Sequence, residues 1–290
     1  MLRTFLCVLA CAVSLSPHAQ PSIPLKSYGQ ELVDRVVADN PGLLVVVMHV
    51  TPPKSSENVI VASNIGRIGK PADEDDLRVV NTEKPNLEIG HGGTRFEVEL
   101  VLRDVTGGNV GALGLVFPYK AGDSKPALER KASAIRDWLA KRILNVANLV
   151  EPYPYEPLAT TKTHAQKIVD VTIARHPELI SLALHVTPPK SQDNIIIASN
   201  FGRIGKKGDE DDLKVINTGE SIVGVYAEGK RFGAELPLRD IAGSTVGAVS
   251  VGFRYRSGDD QKALLVQAEK IRDELQKRIP SAENLVELDP

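Results

Sequence analysis

The chain writes one domain-length stretch twice. Lys26 to Glu151 aligns without a gap on the residues 136 positions later, so that His49 falls on His185, Gly66 on Gly202, Gly111 on Gly247 and Tyr119 on Tyr255. A period of this length marks duplication of a whole domain rather than a solenoid repeat. Whatever one copy folds into, the other must fold into as well. At 290 residues the chain is long enough for each copy to bury its own core. The join, "EPYPYEPLATTKT", carries Pro152, Pro154 and Pro157 and reads as an extended, fairly stiff spacer. The expected domains are therefore 26–150 and 162–290, with a Pro-rich linker over 151–161.

Each copy has the same pattern of elements. "SYGQELVDRVVADNPG" puts Leu32, Val33, Val36 and Val37 on one helical stripe, which Asn40-Pro41-Gly42 ends. "LLVVVMHVT" and "NVIVASN" are β-rich and separated by a polar turn after Pro52-Pro53. Asp73 opens a short helix with an acidic first turn. A weaker strand is expected between Glu83 and Thr94. "RFEVELVLRD" then alternates, with Phe96, Val98, Leu100 and Leu102 facing one way, and turns through "VTGGN" into "VGALGLVFPY". Leu128, Ala132, Ile135, Leu139 and Ile143 form the apolar face of a closing helix. Helix, two strands, short helix, three strands, helix is an α+β domain built on an antiparallel sheet.

The stretches "LRDVTGGNVGALGLVF" and "LRDIAGSTVGAVSVGF" resemble the last hairpin of extracytoplasmic PAS-like sensor domains of the Cache (PDC) family. The resemblance extends to the element order of each copy and implies two tandem PAS/Cache-like domains, each with a small-molecule pocket above its sheet. Two departures stand out. Cache domains usually sit between the membrane helices of a receptor, and no such helix, kinase or methyl-accepting segment is written here. The aromatic-Arg motif of the amino-acid-binding branch is also absent, so the resemblance does not specify a ligand class.

"MLRTFLCVLACAVSLSPHAQ" has a basic residue, an apolar run from Phe5 to about Ser14 and small residues at its end. That layout predicts a signal peptide over residues 1–20, cleaved near Ala19. Both cysteines, Cys7 and Cys11, lie inside it, so the mature chain would rely on cores rather than disulfides. A soluble periplasmic or secreted protein is expected. The net charge of −2 gives no electrostatic case for nucleic acid or an anionic membrane surface.

Ten polar residues recur in register and are the expected ligand-binding set: His49, Lys54, Asn64, Arg67 and Tyr119, with His185, Lys190, Asn200, Arg203 and Tyr255. Asn64 and Arg67 stand in "ASNIGRIGK", which returns as "ASNFGRIGK", where the glycines suit a loop of positive φ. An arginine there can take a carboxylate or phosphate bidentately, or pair with the acidic run beside it. His49 and His185 each share a strand face with Val45 and Val47, or with Ser181 and Ala183, which leaves more room in the second copy. The "DEDD" runs from Asp73 and Asp209 lack the spacing of an EF-hand and read as helix caps, so no metal is expected there. Glu99 and Glu235 read as solvated or ion-paired positions under a helix. No P-loop, nucleophile elbow or His-Glu-x-x-His helix occurs.

The expected function is binding or sensing of a small, anionic metabolite outside the cytoplasm, with no cofactor and no catalytic residues. A membrane-bound partner would supply the output. The alternatives are a secreted interaction scaffold and an enzyme using His49 or His185 with Asp76 or Asp212.

Overall fold

The structure, a computed structural model, describes residues 26–156 and 159–289. The leader sequence falls outside the described residues. The first copy consists of α1 (Tyr28–Asp39), β1 (Val45–Val50), β2 (Val59–Ser63), α2 (Glu74–Thr82), β3 (Asn86–Gly90), β4 (Arg95–Arg103), β5 (Asn109–Pro118), α3 (Lys125–Ala140) and α4 (Val146–Val150). The second repeats it as α5 (His164–Arg175), β6 (Leu179–Val186), β7 (Ile195–Ser199), α6 (Glu210–Thr218), β8 (Ile222–Tyr226), β9 (Arg231–Arg239), β10 (Thr245–Arg254), α7 (Gln261–Gln276) and α8 (Ala282–Val286). The strands form two antiparallel sheets of five, ordered β2-β1-β5-β4-β3 and β7-β6-β10-β9-β8. The fold is α+β in two tandem domains of one design.

Strand alternation splits each sheet into two faces. One carries Val46, Met48, Val98, Leu100, Leu113 and Phe117 against α1 and α3, and forms the first core. The second core repeats it with Leu182, Leu184, Phe232, Leu236, Val251 and Phe253. The other face lies under α2 or α6. Each of these helices is held by a capping box: Asp73 accepts from the Asp75 and Asp76 N–H groups while Asp76 accepts from the Asp73 N–H, and Asp209 with Asp212 repeats this. The N3 carboxylate of each cap is thereby aimed down at the sheet.

The short helices α4 and α8 and a single 3-10 turn at His91–Gly93 are not visible in the hydrophobic pattern. Ile143 belongs to the apolar stripe but lies past the end of α3; Asn145 then starts α4 by accepting from the Asn148 N–H. The linker runs across both domains. The Tyr153 ring packs tilted against Tyr28 with centroids 5.4 Å apart, and the Tyr155 N–H donates to the Ile204 carbonyl at 2.8 Å.

Candidate functional site

Five elements converge polar side chains on the α6 face of the second sheet. β6 supplies His185, β10 supplies Ser250 and β9 supplies Glu235, while α6 brings Asp212 through its capping box. The turn before β7 adds Asn194. The Ser250 Oγ lies 3.0 Å from His185 Nε2 and donates to the Glu235 carboxylate at 2.5 Å. Asp212 Oδ2 comes within 2.9 Å of His185 Nδ1. That contact is electrostatic, because the carboxylate lacks hydrogen-bond geometry to the ring and His185 Nδ1 is a buried atom without a hydrogen bond. The Asn194 Oδ1 is orphaned in the same way, and a Cβ at Gly208 would lie 2.5 Å from it and 3.3 Å from Asp212 Oδ2. One atom each of His185, Asp212 and Glu235 lies within 4.8 Å of the others, so this group could hold a cation.

Burial sets the charges. It holds the Glu235 carboxyl above its usual range, against the pull of His185 and Ser250. For Asp212 burial also acts upward, but the His185 imidazole and the Asp209 cap outweigh it and leave the group lowered. The Asp212 and Glu235 carboxyls and the His185 ring thus sit in a row joined by Ser250.

Toward the other end of the same face, Arg231 stands beside Tyr226 with its guanidinium 5.5 Å from the ring centre. It is half-buried, and it makes no ion pair among the described residues. Burial and then the charge of Arg203 lower its pKa. The neighbouring positions differ in size between the copies. Val45, Val47, Val116 and Glu97 of the first sheet become Ser181, Ala183, Gly252 and Gly233 in the second. The Tyr226 ring, 41% exposed, lies over Gly224 and Gly233 in the space so released.

The first domain keeps His49, Asp76, Glu99 and Asn58 but has Gly114 where Ser250 stands. Here the histidine and aspartate are 3.4 Å apart. Burial pushes His49 down to about 4, Asp76 up to about 6 and Glu99 up to about 7. The two carboxyls therefore stabilise the domain at low pH and lose that contribution as pH rises through 6 to 7. His49 acts oppositely, costing stability as pH falls from 6.5 toward 4. Glu99→Gln, which can still accept from Asn86 Nδ2, should stabilise the first domain on the order of 1 kcal/mol above about pH 7. The gain should vanish below about pH 4.5, and thermal melts across that range check it.

The expected ligand residues fall in different places. His49 and His185 are on the α2 and α6 faces. Asn64 and Asn200 splint their own sheets: the Oδ1 of Asn64 accepts from Val46 N–H and that of Asn200 from Leu182 N–H, each at 2.8 Å. Arg67 is exposed, whereas Arg203 grips Glu151 with two bonds of 2.9 Å across the domain junction. Lys54 and Lys190 stand on exposed turns with φ of 67° and 68°. Tyr119 packs on Phe96, and the Tyr255 hydroxyl accepts from Gln261. Asn194, Asp212, Arg231, Glu235 and Ser250 join the site only through register and capping. The one sequence signal for Ser250 is that it replaces a glycine of the first copy.

A cavity of about 1110 Å³ is a separate groove between the domains, lined among others by Arg35, Arg103, Asp104, Trp138, Asp170 and Arg254. None of the His185 row lines it. No helix among the described residues is long and apolar enough to cross a membrane.

No protein-family model matches the chain, and no curated protein matches it. Among solved structures, a GAF domain from A. aeolicus in an inactive state is 14% identical, covering 40% of this chain and 84% of that one with a TM-score of 0.32. PelD from Pseudomonas aeruginosa is 14% identical over 88% of this chain and 79% of its own, with a TM-score of 0.27. An extracellular ligand binding receptor from Desulfohalobium retbaense is 12% identical over 81% of this chain and 34% of its own, with a TM-score of 0.24. The site is therefore read from its own geometry.

Proposed function

We propose that this chain is an extracytoplasmic small-molecule-binding protein of two PAS/Cache-like domains, with its working site on the α6 face of the second. The observation that carries this is Arg231, a half-buried cation that no carboxylate among the described residues reaches as a close ion pair, the charges of Glu235 and Asp104 acting on it only from farther off. A buried charge without a partner is costly, and an anionic ligand group would relieve that cost. The ligand would set a carboxylate or phosphate on Arg231, displace the Tyr226 ring and offer hydrogen-bond donors to Glu235, His185 Nδ1 and Asn194 Oδ1. In this reading the first domain, whose shelf is filled by Val45, Val47 and Val116, is a structural partner. Output comes from a separate, membrane-bound protein.

A thermal-shift screen of the purified protein against carboxylate and phosphate metabolites tests the reading. A ligand at 100 times its dissociation constant should stabilise by about 2.7 kcal/mol. The shift should disappear in Arg231→Ala and survive in Arg95→Ala, its counterpart in the first domain. Hits that persist in Arg231→Ala would sink the assignment.

The orphaned His185 Nδ1 favours a second reading. Imidazole, carboxylate and amide oxygen donors together suit a divalent transition ion or zinc. Zinc or manganese added to chelator-treated protein would then raise the melting temperature in wild type but not in His185→Ala. Catalysis is less well served. The contacts Asp212–His185–Ser250 follow the order of a catalytic triad. Yet the Ser250 hydroxyl proton is held by Glu235, leaving the base none to take.

A further inference from the structure

The repeated "SN-x-GRIGK" loop is docked in one copy and bare in the other. In the second domain Phe201 and Ile204, 6% and 2% exposed, join the hydrophobic core of the first domain. Around them Arg203 clamps Glu151, Asn148 Nδ2 donates to the Phe201 carbonyl at 3.1 Å, and Gly202 lies against the Tyr28 ring. The first-domain loop holds the same backbone: φ is 73°, 63° and 84° at Gly66, Arg67 and Gly69, against 76°, 62° and 86° at Gly202, Arg203 and Gly205. Its internal bonds match too, Gly69 N–H to Ile60 O at 2.8 Å and Gly205 N–H to Ile196 O at 2.9 Å. Yet Ile65 and Ile68 are 42% and 59% exposed. Arg67 makes no ion pair among the described residues.

The receiving surface is repeated as well, and the second copy of it is open. His164 takes the place of Tyr28, with its Nε2 3.2 Å from the Arg278 carbonyl as the Tyr28 hydroxyl is 3.2 Å from that of Arg142. The backbone bond from Tyr28 N–H to Glu151 O recurs from His164 to Glu287, both at 2.9 Å. Asn284 Nδ2 donates to Glu287 at 2.9 Å, as Asn148 does to Glu151 at 3.1 Å. Glu287 is exposed.

We infer that the first-domain loop of one molecule docks on the α5–α8 surface of a second copy, with Arg67 on Glu287 and Ile65 and Ile68 covered. The joint is heterologous and repeats the one inside the chain, so it propagates head to tail into open filaments or closes into rings. It is weaker than the internal joint, since His164 and Asp289 stand where the Tyr28 and Tyr153 rings pack in the first domain. The inference is independent of what the α6 face binds.

Sedimentation velocity over a dilution series tests it. Wild type should associate as concentration rises. Arg67→Glu and Glu287→Arg should each weaken association at least about tenfold, since either leaves a charge pair reversed into repulsion. The two single variants should then combine when mixed: the intact Arg67 of one fits the intact Glu287 of the other, and the two substituted positions meet with opposite charges, so association returns as an alternating assembly of the two variants. Both substitutions are on the surface, so unchanged melting curves confirm folding. A wild type that stays monomeric throughout, or a mixture that associates no better than either variant alone, overturns the inference.

Discussion

Gly111→Ala is expected to destabilise the first domain severely, and Gly247→Ala the second. A Cβ at Gly111 would lie 2.0 Å from the His49 carbonyl oxygen and 3.0 Å from the His49 carbonyl carbon and Val50 Cγ1. At Gly247 it would lie 2.1 Å from the His185 carbonyl oxygen. These obstacles are backbone in a central strand, not the movable end of a side chain, so relief needs β5 or β10 to part from its neighbour. Overpacking of a core side chain costs about 1–3 kcal/mol, and backbone displacement should exceed that, at about 4 kcal/mol or more. Gly111 bears a second penalty, for its φ of 151° is one that alanine rarely adopts. A domain of ordinary stability holds only about 5–15 kcal/mol in all. Denaturant titration of each variant gives the size of the loss. A loss below about 1 kcal/mol would mean that the register of β10 on β6 is wrong, and with it the placing of Ser250 beside His185.

These glycines show what could be read from the letters alone. The fixed offset of 136 marks them as one position seen twice, but the close approach of the His49 and His185 carbonyls follows only from the pairing of the strands. Asp73 and Asp209 likewise announce their helices, and Phe96, Val98, Leu100 and Leu102 announce a buried face. The site was not legible in this way. Residues 185, 194, 212, 235 and 250 meet because β6 pairs with β10 and β10 with β9, and no local pattern carries that pairing. Glu235 reads as a solvated or ion-paired position under a helix, and only the pairing of β9 with β10 sets its carboxyl on Ser250. Arg67 and Arg203 are the same letter in the same motif with the same φ, yet one is bare and one clamps Glu151. That difference arises from how the two domains sit together, and a comparison of the copies can only hide it.

The same glycine in the two copies of that motif should respond unequally to one substitution. Gly66→Ala adds a methyl group with nothing within 4 Å, so its cost is the left-handed backbone alone, about 1 kcal/mol. Gly202→Ala has that cost plus a Cβ at 2.6 Å from two ring carbons of Tyr28. Tyr28 cannot step aside freely: it is 2% exposed, its hydroxyl donates to the Arg142 carbonyl and its ring packs tilted against Tyr153. The sum should reach about 3 kcal/mol, unless the second domain lifts off and gives up the Arg203–Glu151 clamp. For a chain of this size these costs correspond to falls in melting temperature of roughly 2–4 °C for Gly66→Ala and roughly 6–12 °C for Gly202→Ala. Equal falls would mean that the second loop is not docked on Tyr28. Unequal falls, with Gly66→Ala also reducing self-association, would give the two copies of one motif two jobs: one holds the domains together, and the other waits for the next molecule.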